Sequence, residues 1–242
     1  MAKGEKVLLV TGGGRGIGAA TARLGAQAGY AVCVNYHSDR SSAERLVDEL
    51  KGMKAKAIAV RGDVAVEADI LNLFRTVDSA LGRITALVNN AGIVDKGMRV
   101  EHMSAARLAR MFAINVTGTI LCAREAVRRM SKRQGGAGGA IVNVSSVASR
   151  LGAPGEYVDY AASKGAVDTF TVGLAKEVGP EGIRVNAVRP GVIRTEIHAS
   201  SGDPGRVERI GASAPLGRAG EAEEVARAIV WLLSDEASYL TG

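Results

Sequence analysis

Val7-Leu8-Leu9-Val10-Thr11-Gly12-Gly13-Gly14-Arg15-Gly16-Ile17-Gly18 is the stretch that decides the fold. Its four apolar residues read as a buried strand, and residues 17–28 as the helix that follows. The glycines between them permit a tight turn and let the backbone approach a bound group closely. The start of the helix adds free N–H groups and a positive dipole end, which together attract an anion. Two spacings fit a dinucleotide fingerprint, Gly14-x-Gly16-x-x-Ala19 and Gly12-x-x-x-Gly16-x-Gly18. Their position after the first strand and before the first helix is the context such a fingerprint requires.

Working outward, apolar runs alternate with helical patterns to the end of the chain. Strands are expected over 31–35, 57–60, 86–88, 141–144 and 184–188. Helices are expected over 41–50, 66–81, 105–132, 160–178 and 221–233. This alternation predicts an α/β fold, a single doubly wound parallel sheet with helices on both faces, of Rossmann type. No shift of composition divides it, so 1–242 reads as one NAD(P)-binding domain. Residues 191–219 form the one long irregular stretch and are expected to serve as a substrate loop. Ser238-Tyr239-Leu240-Thr241-Gly242 reads as a turn towards a last C-terminal strand that the sequence does not show.

Composition narrows the function classes. The net charge is +6, but no Lys/Arg-rich run is interleaved with aromatics, so a nucleic-acid partner is not expected. No signal peptide or long apolar span is visible, so the expectation is a cytoplasmic protein with no membrane partner. Cys33 and Cys122 lie in apolar runs and read as buried thiols. His37, His102 and His198 are scattered, without the spacing of metal ligands, and no metal is expected.

The second strand informs on the cofactor. An acid at its end would bind the 2′-hydroxyl of NAD. Here the strand ends Val34-Asn35-Tyr36-His37-Ser38, and the first acid is Asp39. Arg15 in the glycine turn and Arg40 past the strand suit a 2′-phosphate. The reading favours NADP, with NAD as the other choice.

Tyr160 and Lys164 stand at i and i+4 in Tyr160-Ala161-Ala162-Ser163-Lys164, on one helical face. An ammonium beside a phenol favours the phenolate, which suits the tyrosine to proton transfer near neutral pH. Ser145-Ser146 follows a strand, at the edge of the sheet where ligands bind.

Taken together, the motifs resemble the short-chain dehydrogenase/reductase family over nearly the whole chain. Thr11–Gly18, with Gly12, Arg15, Gly16, Ile17 and Gly18, resembles its cofactor turn. Asn35 and His37 fall beside the ribose. Asp63-Val64 resembles the adenine-contacting pair, and Asn89-Asn90-Ala91-Gly92 the motif after strand four. Pro190-Gly191, with Ile193 and Thr195, resembles the motif after strand six. The resemblance implies a catalytic set of Ser146, Tyr160, Lys164 and Asn115. Ser146 would polarise a substrate carbonyl and Tyr160 exchange its proton. Lys164 would bind the nicotinamide ribose, and Asn115 hold a water beside the lysine. Ser146 and Tyr160 stand 14 positions apart, slightly wide for the family.

The expected activity is hydride transfer between nicotinamide and a small-molecule carbonyl or alcohol substrate. The segment 149–159, polar and containing Glu156 and Asp159, suits a small polar or sugar-like one and is similar to bacterial glucose dehydrogenases. A 3-oxoacyl-carrier-protein reductase is the alternative; Arg128, Arg129, Lys132 and Arg133 are the only dense basic cluster and read as complementing a helix C-terminus. A nucleotide-binding sensor is the non-enzyme alternative. Family analogy implies a homotetramer, or a homodimer, through the helices from Ala105 and Tyr160.

Overall fold

All four residues of β1 (Val7–Val10) are apolar, and all are buried. Strand side chains alternate between faces, so β1 needs cover on both. The computed structural model describes residues 6–196 and 205–242 and shows that cover. Val7 and Leu9 pack in one core with Phe74, Leu87 and Ile141. Leu8 and Val10 pack in a second with Leu46, Leu50 and Ile229.

The first half of the chain continues through α1 (Gly16–Gln27), β2 (Ala31–Tyr36), α2 (Arg40–Gly52), β3 (Ala57–Arg61), α3 (Glu67–Ala80) and β4 (Ala86–Asn89). The second half contains α4 (Ala105–Phe112), α5 (Thr119–Met130), β5 (Gly139–Val144), α6 (Ala148–Leu151), α7 (Val158–Val178), β6 (Ile183–Val188), β7 (Ile193–Arg194), α8 (Arg206–Ala212), β8 (Gly220–Glu221) and α9 (Ala222–Leu233). Six parallel strands form one sheet in the order β3-β2-β1-β4-β5-β6. Helices α3, α5 and α7 cover one face, and α1, α2 and α9 the other. The order reverses between β1 and β4, and a crevice opens there at the carboxyl ends of the strands. The doubly wound sheet read from the alternation is present.

Three local features differ from the sequence reading. The single helix expected over 105–132 passes through a wide π-helical turn, Ala113–Gly118, between α4 and α5. Close packing accompanies it, since a Cβ on Gly118 would lie 2.5 Å from the Val64 carbonyl oxygen. Such turns recur at functional sites. The stretch 191–219 is not wholly irregular: β7 pairs with β8, and α8 lies between them. Residues 240–242 lie along β6, where Gly242 N donates to Val185 O at 2.8 Å and Asn186 Nδ2 to Leu240 O at 2.9 Å.

Cys33 and Cys122 are free and buried, and burial pushes both thiols up, which removes their reactivity near neutral pH. Among the described residues no helix is long and apolar enough to cross a membrane.

Candidate active site

A cleft of about 640 Å³ lies over the switch point. Its floor is the glycine turn, held from two sides. Thr11 Oγ1 accepts from Asn90 N at 3.0 Å and Ala91 N at 3.1 Å. Asn90 Nδ2 donates back to Thr11 O and Gly12 O at 3.0 and 2.9 Å. Asn35 Oδ1 accepts from Gly12 N at 3.2 Å.

Two positions of the turn resist a side chain. Gly12 has φ +58°, and a Cβ on Gly18 would lie 2.5 Å from Asn90 Nδ2 and 2.6 Å from Gly12 O. The α1 N-cap, Arg15, makes no side-chain cap, and no acid occupies the first helical turn. That helix end therefore presents its N–H groups and positive dipole to the cleft. The cradle fits a pyrophosphate.

Near the ends of β2 and β3, Arg15, His37, Asp63 and Val64 line the cleft. Asp63 Oδ1 accepts from Ala65 N at 2.8 Å, and its other oxygen lies 3.5 Å from His37 Nε2. Asn35 lines the cleft, but its amide nitrogen is committed to Val60 O and Gly62 O. Asp39 caps α2 through Ser42 N at 3.0 Å. That bond, with Arg15 and Arg45 nearby, holds its carboxyl below the usual range. Arg40 pairs with Glu44 at 2.7 Å and does not line the cleft.

At the other end stand Ser146, Tyr160 and Lys164. Lys164 is 5% exposed and donates from Nζ to Val144 O at 2.7 Å. Its Nζ lies 5.6 Å from the Tyr160 ring centroid. Burial pushes its pKa down to about 8, partly opposed by Asp168. The two serines differ in what their hydroxyls do. Ser145 is buried and donates to Lys164 O at 3.2 Å. Ser146 Oγ accepts from Ala148 N at 3.1 Å, which leaves its proton for a ligand oxygen.

Several residues singled out in the sequence lie elsewhere. Asn115 is buried behind the cleft wall; its Oδ1 accepts from Ile93 N at 2.9 Å. Its Nδ2 donates to Ile93 O at 3.0 Å and Ser163 Oγ at 3.1 Å. It thus braces the loop after β4 against the residue preceding Lys164. A Cβ on Gly92 would lie 3.4 Å from Asn115 Oδ1 and 3.5 Å from Lys164 Nζ, so both groups face one gap.

Asn89 is buried away from the cleft and donates to Asn143 Oδ1 at 2.9 Å; Asn90, its neighbour, reaches the site instead. Gly18 supports the turn from behind without lining the cleft.

Asp159, expected in the substrate pocket, is buried in an ion pair with Arg107 at 2.7 Å. The helical rotation of α7 explains this. Asp159 and Tyr160 are adjacent and point in different directions on the helix.

Ala91, Gly92, Pro190, Gly191, Ile193 and Thr195 all line the cleft. Thr195 crosses the start of α1, with its methyl 3.1 Å from a Cβ placed on Gly16. Ile197 and His198 lie outside the described residues. The three arginines of the basic cluster are paired: Arg128 with Glu125, Arg129 with Asp78 and Glu125, and Arg133 with Glu181. Among the described residues no group of His, Cys, Asp or Glu could hold a metal ion.

Sequence reasoning missed Arg107 and Arg110, and named Asn90 only as part of the motif after strand four. Arg110 and Tyr157 line the substrate end with the apolar Val94, Leu151 and Ile210. The i to i+3 spacing of Arg107 and Arg110 on a helical stretch was the only signal available for the two arginines.

Comparison with known proteins identifies relatives over nearly the whole chain. A family model described as enoyl-(acyl carrier protein) reductase matches residues 12–242. An uncharacterized oxidoreductase, YgfF, of Escherichia coli (strain K12) is 56% identical over 98% of this chain and 96% of its own. Glucose 1-dehydrogenase 2 of Bacillus subtilis (strain 168) is 37% identical over 98% of this chain and 91% of its own. A crystal structure of 3-ketoacyl-(acyl-carrier-protein) reductase from Brucella melitensis, complexed with NADH, superposes with a TM-score of 0.89 at 31% identity. It covers 100% of this chain and 95% of that one. The chain belongs to the short-chain dehydrogenase/reductase family of oxidoreductases.

Proposed function

We propose that this protein moves hydride between NADP and a small polar carbonyl or alcohol substrate, with Ser146, Tyr160 and Lys164 as its catalytic set. The observation that carries the reading is the convergence of those three side chains at one end of a cleft whose other end is the glycine cradle. The nicotinamide supplies the hydride chemistry, and the protein orients and polarises.

Ser146 retains a hydroxyl proton that can be aimed at a carbonyl oxygen, where negative charge grows during reduction. Tyr160 gives that oxygen its proton, or takes it in the oxidative direction. Lys164 holds a positive charge below about pH 8 and anchors the ribose. Asn115 acts from behind by fixing the loop over Gly92.

NADP is favoured over NAD because no acid ends β2: Asn35 is committed to backbone groups, and Asp39, which also lines the cleft, gives one carboxylate oxygen to the α2 cap. Arg15 is exposed at that end of the cleft and suits a phosphate. With Asp159 withdrawn, Glu156, Tyr157 and Arg110 remain as polar contacts beside an apolar wall. This favours a compact substrate such as a sugar or cyclic polyol, with one polar edge and one apolar face. A 3-oxoacyl thioester is the second reading, favoured by the matched family model and the Brucella structure. The pairing of Arg128, Arg129 and Arg133 argues against an open basic dock for an acidic carrier.

A homotetramer is part of the same proposal. Leu108 and Phe112 on α4, Ile120 on α5 and Val172 on α7 are each 38–39% exposed in the single chain, and a partner's helices would cover them.

The test is a panel of aldoses, cyclic diols and a 3-oxoacyl thioester, read at the nicotinamide absorbance with NADPH/NADP and NADH/NAD in parallel. Turnover of the sugar or diol set with the phosphorylated cofactor is expected. Binding of NADPH with no turnover of any member would favour a sensor instead.

A further inference from the structure

The Asp168 carboxylate has no role in the chemistry described above. It lies on α7 one helical turn beyond Lys164, on the same face. Its side chain is 12% exposed, and Oδ2 accepts from Arg189 Nε at 2.8 Å. Oδ1 is buried with no donor in hydrogen-bonding geometry. The hydroxyls of Ser149 and Ser145 adjoin the carboxylate. Each has one proton: Ser145 directs it to Lys164 O at 3.2 Å, and Ser149 to Ser146 O at 2.8 Å. A hydroxyl proton rotates to suit its surroundings, so a turn of either one satisfies Oδ1.

We propose that Asp168 is a positioning residue for the active site: it ties the Ser145–Ser149 turn and the Arg189–Gly191 segment to α7 and sets a negative charge beside Lys164. Backbone bonds already join the first two segments, Ser145 N to Val188 O at 2.8 Å and Val147 N to Pro190 O at 3.1 Å. Asp168 adds the third side of this triangle. The inference rests on the catalytic reading of Ser146, Tyr160 and Lys164.

The electrostatics agree. Burial raises the Asp168 carboxyl, but Ser149, Arg189 and Ser145 outweigh it and hold the group below its usual range, hence ionised. Among the described residues, the groups facing Lys164 are Tyr160 and Asp168 from its own helix, the Val144 carbonyl from β5 and the neutral Asn115 amide. Arg189, at the end of β6, faces Asp168.

The test follows Lys164 directly, by NMR of isotope-labelled lysine, with the resonance assigned by its loss in Lys164→Arg. In Asp168→Asn the titration midpoint of Lys164 should fall by about one pH unit, because a neighbouring negative charge favours the ammonium. The kcat should fall about tenfold and its alkaline limb move down with Lys164, the cofactor KM changing by less than about threefold. A Lys164 midpoint that stays in place, with a loss of rate equal at every pH, would overturn the proposal. Should Asp168→Asn not fold, Arg189→Met serves. Without its guanidinium, Asp168 takes up its proton at higher pH, and the Lys164 resonance should show a second inflection there. Its absence would also overturn the proposal. A shifted Lys164 in a protein that turns over no carbonyl would leave the coupling of Asp168 to Lys164 standing, and would remove the proposed function and the positioning role that rests on it.

Discussion

Replacing Arg107 by methionine tests whether a buried charge pair holds the start of the catalytic helix. The Arg107 and Asp159 side chains are 6% and 0% exposed. Arg107 Nε and Nη2 donate to the carboxylate at 2.7 and 3.3 Å, and Nη1 donates to Lys96 O at 2.7 Å. One guanidinium therefore joins α4, the loop after β4 and the first turn of α7, one residue before Tyr160. Burial raises the Asp159 carboxyl, but the Arg107 bonds, with the backbone N–H of Tyr160, outweigh it and keep the group below its usual range. Arg107→Met leaves that carboxylate buried without its charged partner, at a cost of about 3–5 kcal/mol. For a chain of this size the melting temperature should fall by about 10 °C.

The sign with pH follows from linkage. Because the folded pKa of Asp159 is depressed, the pair's stabilisation is present above the unfolded value of about 3.9 and lost as pH falls through the folded one. The deficit of Arg107→Met should therefore be largest at neutral pH and close only as pH falls below about 4. The double variant Arg107→Met/Asp159→Leu removes both charges and should recover most of the loss. Calorimetric melts of the three proteins at neutral and acid pH supply the measurement. A single variant that melts within about 2 °C of the parent at neutral pH would refute the reasoning.

Two substitutions probe the cofactor end. Gly18→Ala forces a methyl to within 2.5 Å of Asn90 Nδ2, which should cost about 1–3 kcal/mol by overpacking. Displacing Asn90 should also weaken NADPH binding, and a fluorescence titration matching the parent would contradict the role given to that contact. Arg15→Ala should weaken NADPH about tenfold while NADH changes little, since only the phosphate loses a charged partner. Equal losses for the two cofactors would show that Arg15 does not read the 2′ position.

The fold was legible because its signals are local. Val7–Val10 is apolar at every position, which suits a strand covered on both faces, and the glycine turn that follows stands between the first strand and the first helix. The Tyr160 and Lys164 pair was legible for the same reason, since helical periodicity alone puts both on one face. What could not be read depends on contacts between distant segments. The π-helical turn at Asn115 is associated with Val64 and Ile93, 51 and 22 positions earlier in the chain. Asp159 looked like a pocket residue because it is polar and precedes Tyr160. Its buried partner, Arg107, stands 52 positions away, and no pattern near either residue announces the pair. Asn89 and Asn90 were indistinguishable in sequence. Strand alternation sends the first beneath the sheet's end and leaves the second over the glycine turn.

The central claim is that Tyr160 exchanges the proton while the nicotinamide exchanges the hydride. The most direct measurement is the turnover of Tyr160→Phe with its best carbonyl substrate at saturating NADPH, alongside its NADPH dissociation constant. The account predicts a loss of about a thousandfold in kcat, within the range for a lost general acid, and cofactor binding close to that of the parent. A variant that retains the parent's rate would contradict it.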